Sequence, residues 1–105
     1  MSSLGKHLIA DFRGCMDVRI EALKQICLIS IKKVGNNIEM CGFKEYNHGY
    51  CLYYVLSESH LSVDKQGQNV AIDYFTCGNH DPEKCLYYFK MLFKPKAYKH
   101  NTIKR

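Results

Sequence analysis

No run of about 18 apolar residues occurs anywhere in this chain, so no segment reads as a membrane-spanning helix. The opening MSSLGKHLIADF holds too short an apolar stretch, cut by Asp11, to be a secretory signal, and a cytoplasmic protein is expected. No C-x-x-C pair is present among the six cysteines. A zinc site built from local ligand pairs is therefore not expected, and without a signal peptide the cysteines read as free thiols rather than bridges. There is no internal repeat and no low-complexity segment. At 105 residues the chain is too short for an eightfold barrel of about 250 residues or a two-domain dinucleotide enzyme, so one domain over 1–105 is expected.

What is present is an ordinary globular composition, 47% hydrophobic and 24% charged, with a formal net charge of +5. Part of that excess is local: Lys94, Lys96, Lys99, Lys104 and Arg105 crowd the last dozen residues. Lysines on a terminal strand guard a sheet edge against aggregation. That reading outweighs nucleic-acid binding by Lys beside Tyr98 and His100, and no nucleic-acid partner is expected.

Hydrophobic periodicity orders the chain. Leu8, Ala10 and Phe12 alternate as a strand over 6–12. Ile20, Leu23, Cys27, Ile31 and Val34 recur at helical spacing from Asp17 onward, and Gly35-Asn36-Asn37 stops the helix. Two β-rich runs, 38–46 and 50–57, flank Asn47-His48-Gly49 as a hairpin. On the second run Tyr50, Leu52, Tyr54 and Leu56 share one face. Cys51, Tyr53, Val55 and Ser57 share the other, joined by Ser59 if the strand runs on. Residues 64–68 read as a polar connection, and Val70 to Thr76 as a strand closed by Cys77-Gly78-Asn79. Asp81 caps a second helix with Pro82 at its first position, and Cys85, Leu86, Phe89, Leu92 and Phe93 form its apolar stripe. Pro95 ends it before a last strand over 96–103.

This order implies an α+β two-layer sandwich, one mostly antiparallel sheet with two helices packed on one face. Tyr50, Tyr53, Tyr54, Tyr74, Tyr87 and Tyr88 exceed what one thin core needs, so a homodimer through the open face is expected.

The chemistry-bearing segment is Leu56-Ser57-Glu58-Ser59-His60-Leu61-Ser62, three hydroxyls, a carboxylate and an imidazole after an apolar strand. Adjacent Ser59 and His60 point to opposite sides of a strand, so they are no nucleophile and base pair. Taken with MSSLGKHLIADFRGC, VAIDYFTCG, DPEKCLYYFKMLFKPK and the closing IKR, however, LSESHLS resembles the bacterial-type S-adenosylmethionine decarboxylase proenzymes in order and spacing, from Ser3 to Arg105. The resemblance implies self-cleavage between Glu58 and Ser59. The Ser59 oxygen would attack the Glu58 carbonyl, helped by a strained peptide at the strand end, and Ser59 would become a pyruvoyl cofactor. It implies S-adenosylmethionine as substrate, decarboxylated for spermidine synthesis, with Cys77 in FTCG as proton donor.

Two positions differ from the pattern. Asp64 stands where the family has a histidine that assists processing, and Cys51 where it has a serine with the same task; both remain candidate helpers. The Trp-Pro-Glu element that holds the ribose is replaced by Lys65-Gln66-Gly67-Gln68 in a loop about two residues shorter. His60, His48 and His80 are candidate replacements for the base, and Glu58 and Glu45 for the ribose carboxylate. These differences leave open a homologue that stays uncut and partners an active enzyme, or a decarboxylase of arginine or ornithine.

Overall fold

The structure, a computed structural model, describes residues 4–105; residues 1–3, which open the first family-like block, lie outside the described residues. Six strands form one sheet in the order β2-β3-β4-β5-β1-β6. They are β1 (Gly5–Arg13), β2 (Ile38–Tyr46), β3 (Gly49–Leu56), β4 (Ser59–Gln66), β5 (Asn69–Cys77) and β6 (Ala97–Lys104), and every neighbouring pair is antiparallel. Helix α1 (Ile20–Val34) and helix α2 (Leu86–Phe93), the latter preceded by a 3-10 turn over Pro82–Cys85, cover one face. The expected two-layer α+β sandwich is the observed one.

The elements form where the side chains dictate. Leu23, Cys27, Ile31 and Val34 bury one stripe of α1, and Gly35 ends it with φ 97, a left-handed conformation that glycine adopts without penalty. The Gly35 N–H donates to Ile31 O and Lys32 O, and Asn36 N–H reaches Ile31 O at 3.0 Å, satisfying carbonyls the last turn leaves free. Asp81 accepts from Glu83 N at 3.0 Å, the cap expected of it. The core lies between helices and sheet, where Leu8, Phe12, Leu61, Ile72 and Tyr74 meet Leu23, Ile31, Phe89 and Phe93, all essentially inaccessible.

Two expectations are corrected. The connection expected over 64–68 narrows to the turn at Gly67-Gln68, and Asp64, Lys65 and Gln66 are the last residues of β4, because residues 59–66 alternate Ser59, Leu61 and Val63 inward with His60, Ser62 and Asp64 outward. The surplus tyrosines do not gather on the open face. Tyr54 and Tyr74 are buried under the helices, Tyr50 is half-buried on the same side, and Tyr87 and Tyr88 belong to α2. Only Tyr53 of that set is on the open face, where its ring lies over Gly42 of β2 and leaves no room for a side chain there.

Candidate active site

Leu56 pairs with Ser59 across β3 and β4, so Ser57 and Glu58 form a two-residue turn at one end of the sheet. Paired residues share a face, which puts Ser59 on the helix side with Leu56, Leu61 and Thr76, only 6% exposed. Glu58 is exposed on the turn. Cys77 ends β5 alongside it and touches both residues of the Glu58–Ser59 bond. Its backbone N–H donates to Ser59 Oγ at 3.3 Å, and its thiol donates to Glu58 Oε2 at 3.1 Å. The Glu58 carboxylate, by this hydrogen bond first and by its charge, raises the Cys77 thiol above its ordinary range, with burial adding to it; the Ser59 hydrogen bond acts the other way. No left-handed backbone marks the Glu58–Ser59 bond: among the described residues Lys94 is the only non-glycine with positive φ.

Asp64 and Cys51 are brought together, but elsewhere. They pair directly across β4 and β3 on the open face. The expected shared face of Cys51 and Ser59 is therefore wrong, because the turn at Ser57-Glu58 reverses the chain and Ser59 begins a new strand opposite Leu56. Asp64 lies five residues along β4 from Ser59, about 17 Å at the rise of an extended strand. Burial raises the Cys51 thiol first, and the neighbouring Asp64 charge raises it further. Asp64 Oδ1 is buried without a hydrogen-bond partner. The residue lines two clefts, one of about 230 Å³ with Asp11, Arg13, Gln66 and Asn69, the other of about 510 Å³ with Tyr46, Asn47, His48 and Gly49. Neither cleft includes Glu58, Ser59 or Cys77.

The remaining candidates separate. His48 sits in the β2–β3 turn and lines the larger cleft. His60 is on the open face of β4, stacked on Phe75 at 5.6 Å between ring centres. The His80 ring donates from Nδ1 to Val34 O at 2.8 Å, which makes it a tie between the turn after Cys77 and the end of α1. Glu45 pairs with Tyr50 at the exposed β2 edge, on the helix side.

Sequence reasoning missed the tie at His80, because its partner Val34 lies 46 residues away and no local pattern marks it. It also missed Arg105, whose guanidinium rests 5.2 Å from the centre of the Phe75 ring beside the cleavage end. Pairing of β6 with β1 places it there, through hydrogen bonds between Gly5 and Arg105 in both directions.

Comparison with known proteins places this geometry. A family model described as S-adenosylmethionine decarboxylase matches residues 6–105. The S-adenosylmethionine decarboxylase proenzyme of Fervidobacterium nodosum is 36% identical over 101 residues, covering 90% of this chain and 74% of its own length. That of Caldanaerobacter subterraneus is 30% identical over 113 residues, covering 100% of this chain and 90% of its own. The crystal structure of the adenosylmethionine decarboxylase from Aquifex aeolicus superposes with a TM-score of 0.85 at 20% identity, over 100% of this chain and 92% of that one, a likeness of fold. With a match over nearly its whole described length and relatives this similar, the chain belongs to the S-adenosylmethionine decarboxylase family.

Proposed function

We propose that this protein is a proenzyme that cuts itself between Glu58 and Ser59, carries a pyruvoyl group made from Ser59, and decarboxylates S-adenosylmethionine. The observation that carries the reading is the double contact of Cys77, through its N–H to Ser59 Oγ and its thiol to Glu58, at the one turn bearing the family-like ESH sequence. The residues fit a carbonyl at position 59, since the Cys77 N–H already donates to an oxygen on that side chain. When formed, the pyruvoyl group supplies an electron-withdrawing carbonyl that takes the substrate amine and accepts the electrons freed as carbon dioxide leaves. Cys77 holds the proton that replaces it. Its thiol is kept neutral by the adjoining carboxylate, the protonation state a donor needs.

The working unit is a homodimer stacked through the open faces. In one chain the Asp64–Cys51 pair stands at the far end of β4 from the bond to be cut. Two copies laid end for end bring the pair of each beside the turn of the other. The open face suits such contact: Met40 of β2, 60% exposed, adjoins Val55 and Tyr53 of β3, 41% and 45% exposed, an apolar patch on two neighbouring strands. Asp64 then accepts the proton released in processing, and Cys51 offers a weak S–H donor.

A second reading, a chain that remains whole and supports an active relative, rests on Asp64 in the histidine position, because a carboxylate is a weaker base than imidazole. Intact mass after prolonged incubation decides between them. The expected result is two fragments, residues 1–58 and 59–105, the second blocked at its first residue. One species near 12.2 kDa refutes the active-enzyme reading.

A further inference from the structure

The bond to be cut would turn Glu58 into a chain end, and chain ends ordinarily fray unless tied down. This one is tied. Ser57 N–H donates to Asn37 O at 3.3 Å, and Ser57 Oγ donates to Glu39 Oε1 at 3.1 Å, immediately before Glu58. Strand β3 behind it is paired with β2 on one side and β4 on the other. The Ser57 contacts and the pairing of β3 with β2 do not use the Glu58–Ser59 peptide, and of the β3–β4 pairs only the closing one, Leu56 with Ser59, adjoins it, so cutting it leaves the rest intact.

We propose that Glu58 stays in place after the cut and works as a positioning residue in the processed enzyme, its side-chain carboxylate holding the Cys77 proton between turnovers. This rests on the function proposed above. In each cycle the Cys77 S–H bond breaks and its proton forms a C–H bond at the carbon that has lost carbon dioxide. The thiolate left behind adjoins the Glu58 carboxylate, and two anions at hydrogen-bonding separation repel one another. That repulsion draws one proton from water and restores the S–H. One substrate carboxylate and one proton are consumed, one C–H bond and one carbon dioxide are formed, and no oxidant or reductant is needed. The cut itself adds a main-chain carboxylate at residue 58, a second negative charge at the same end.

The other charged groups at this end have neighbours of their own: Lys6 of β1 stands cross-strand from Thr76 and Lys104, and Glu39 of β2 accepts from Ser57 Oγ. Arg105 of β6 and His60 of β4 both rest on the Phe75 ring, at 5.2 and 5.6 Å. His7 of β1, cross-strand from Phe75, lies 3.3 Å from Asp73. Of all these groups, Glu58 alone hydrogen-bonds the Cys77 side chain.

The test compares wild type, Glu58→Gln and Glu58→Asp, whose exposed turn position spares the core. Three quantities are read in each: cleavage by intact mass, iodoacetamide labelling of Cys77 by peptide mass from neutral to alkaline pH, and the pH profiles of kcat and KM for S-adenosylmethionine. Gln removes the charge and offers an N–H to the thiolate. Cleavage should persist, Cys77 should label severalfold faster at mildly alkaline pH, and the alkaline fall of kcat should begin at lower pH with KM unchanged. Asp should restore part of the wild-type profile. Chains that cut normally but label identically at Cys77 overturn the role of Glu58 alone. A wild-type chain that never cuts overturns the proposed function as well.

Discussion

The two ends of β4 are built to different degrees of completion within one chain. At the Ser59 end the hydroxyl, the Cys77 N–H, the thiol and the Glu58 carboxylate satisfy one another in a short relay. At the Asp64 end a carboxylate oxygen is buried with no partner, next to a thiol that cannot ionise readily, on a face open to clefts. A buried polar atom left unpaired costs about 1–3 kcal/mol. The first end is organised for chemistry by its own chain, and the second keeps an unmet demand that, in the proposed dimer, the partner's cleavage turn meets.

The most severe way to break the contrast is at the finished end. Ser59→Ala removes the attacking oxygen and the pyruvoyl precursor together. Cleavage should vanish, and decarboxylation should fall by at least about a thousandfold, as for loss of a catalytic nucleophile. Two fragments from this variant would mean that the cut falls elsewhere. Asp64→Ala strikes the other end and should slow cleavage by about a hundredfold, within the range a general base supplies. Mixing the two defective chains then sharpens the comparison. If the Asp64–Cys51 pair serves the neighbouring copy, the Asp64→Ala chain should recover cleavage when partnered with Ser59→Ala, whose Asp64 is intact. No recovery in demonstrated mixed dimers would confine each site to one chain. A smaller effect is expected from repairing the base: Asp64→His should speed cleavage by about tenfold, because imidazole titrates nearer to neutral pH than a carboxylate. An unchanged rate would assign the proton to another group.

These experiments bear on the part of the molecule that was hardest to read from residues alone. Both helices, the β2–β3 hairpin and the helix-covered face were legible, because Leu23, Cys27, Ile31 and Val34 keep the helical period and Leu52, Tyr54 and Leu56 the strand period. The family-like sequences also marked Glu58, Ser59 and Cys77, which the fold brings into contact. What was lost was the turn at Ser57-Glu58. It has none of the Gly, Asn or Asp residues that signal a two-residue hairpin, and neither residue takes the positive φ that such residues serve. Missing it merged the start of β4 with β3, and one unrecognised reversal then moved Cys51 onto the wrong face. Lys65 added to the concealment. It lies on the helix side with its side chain 12% exposed, its ammonium donating to Gly67 O at 2.7 Å, so a half-buried strand residue reads as a loop charge.

The least consequential break concerns how the finished end is anchored to the helix layer. The turn after Cys77 closes through Thr76 Oγ1, which donates to His80 O at 3.1 Å, and the His80 ring is bound to Val34 O at 2.8 Å. That ring also packs on Gly35, where any Cβ would lie 2.9 Å from it, so the left-handed glycine and the histidine fit one another. His80→Ala therefore removes one partly buried hydrogen bond and the ring contact, a loss of about 1–2 kcal/mol. In a domain of this size each kcal/mol moves the melting midpoint by roughly 4 °C or more. His80→Asn, which can place an N–H near the Nδ1 position, should recover part of the loss. Since His80 touches neither Glu58 nor Ser59, cleavage at that bond should slow far less than in the Asp64 variants. A large cleavage defect with an unchanged melting midpoint would make His80 a participant in the chemistry rather than a tie in the scaffold.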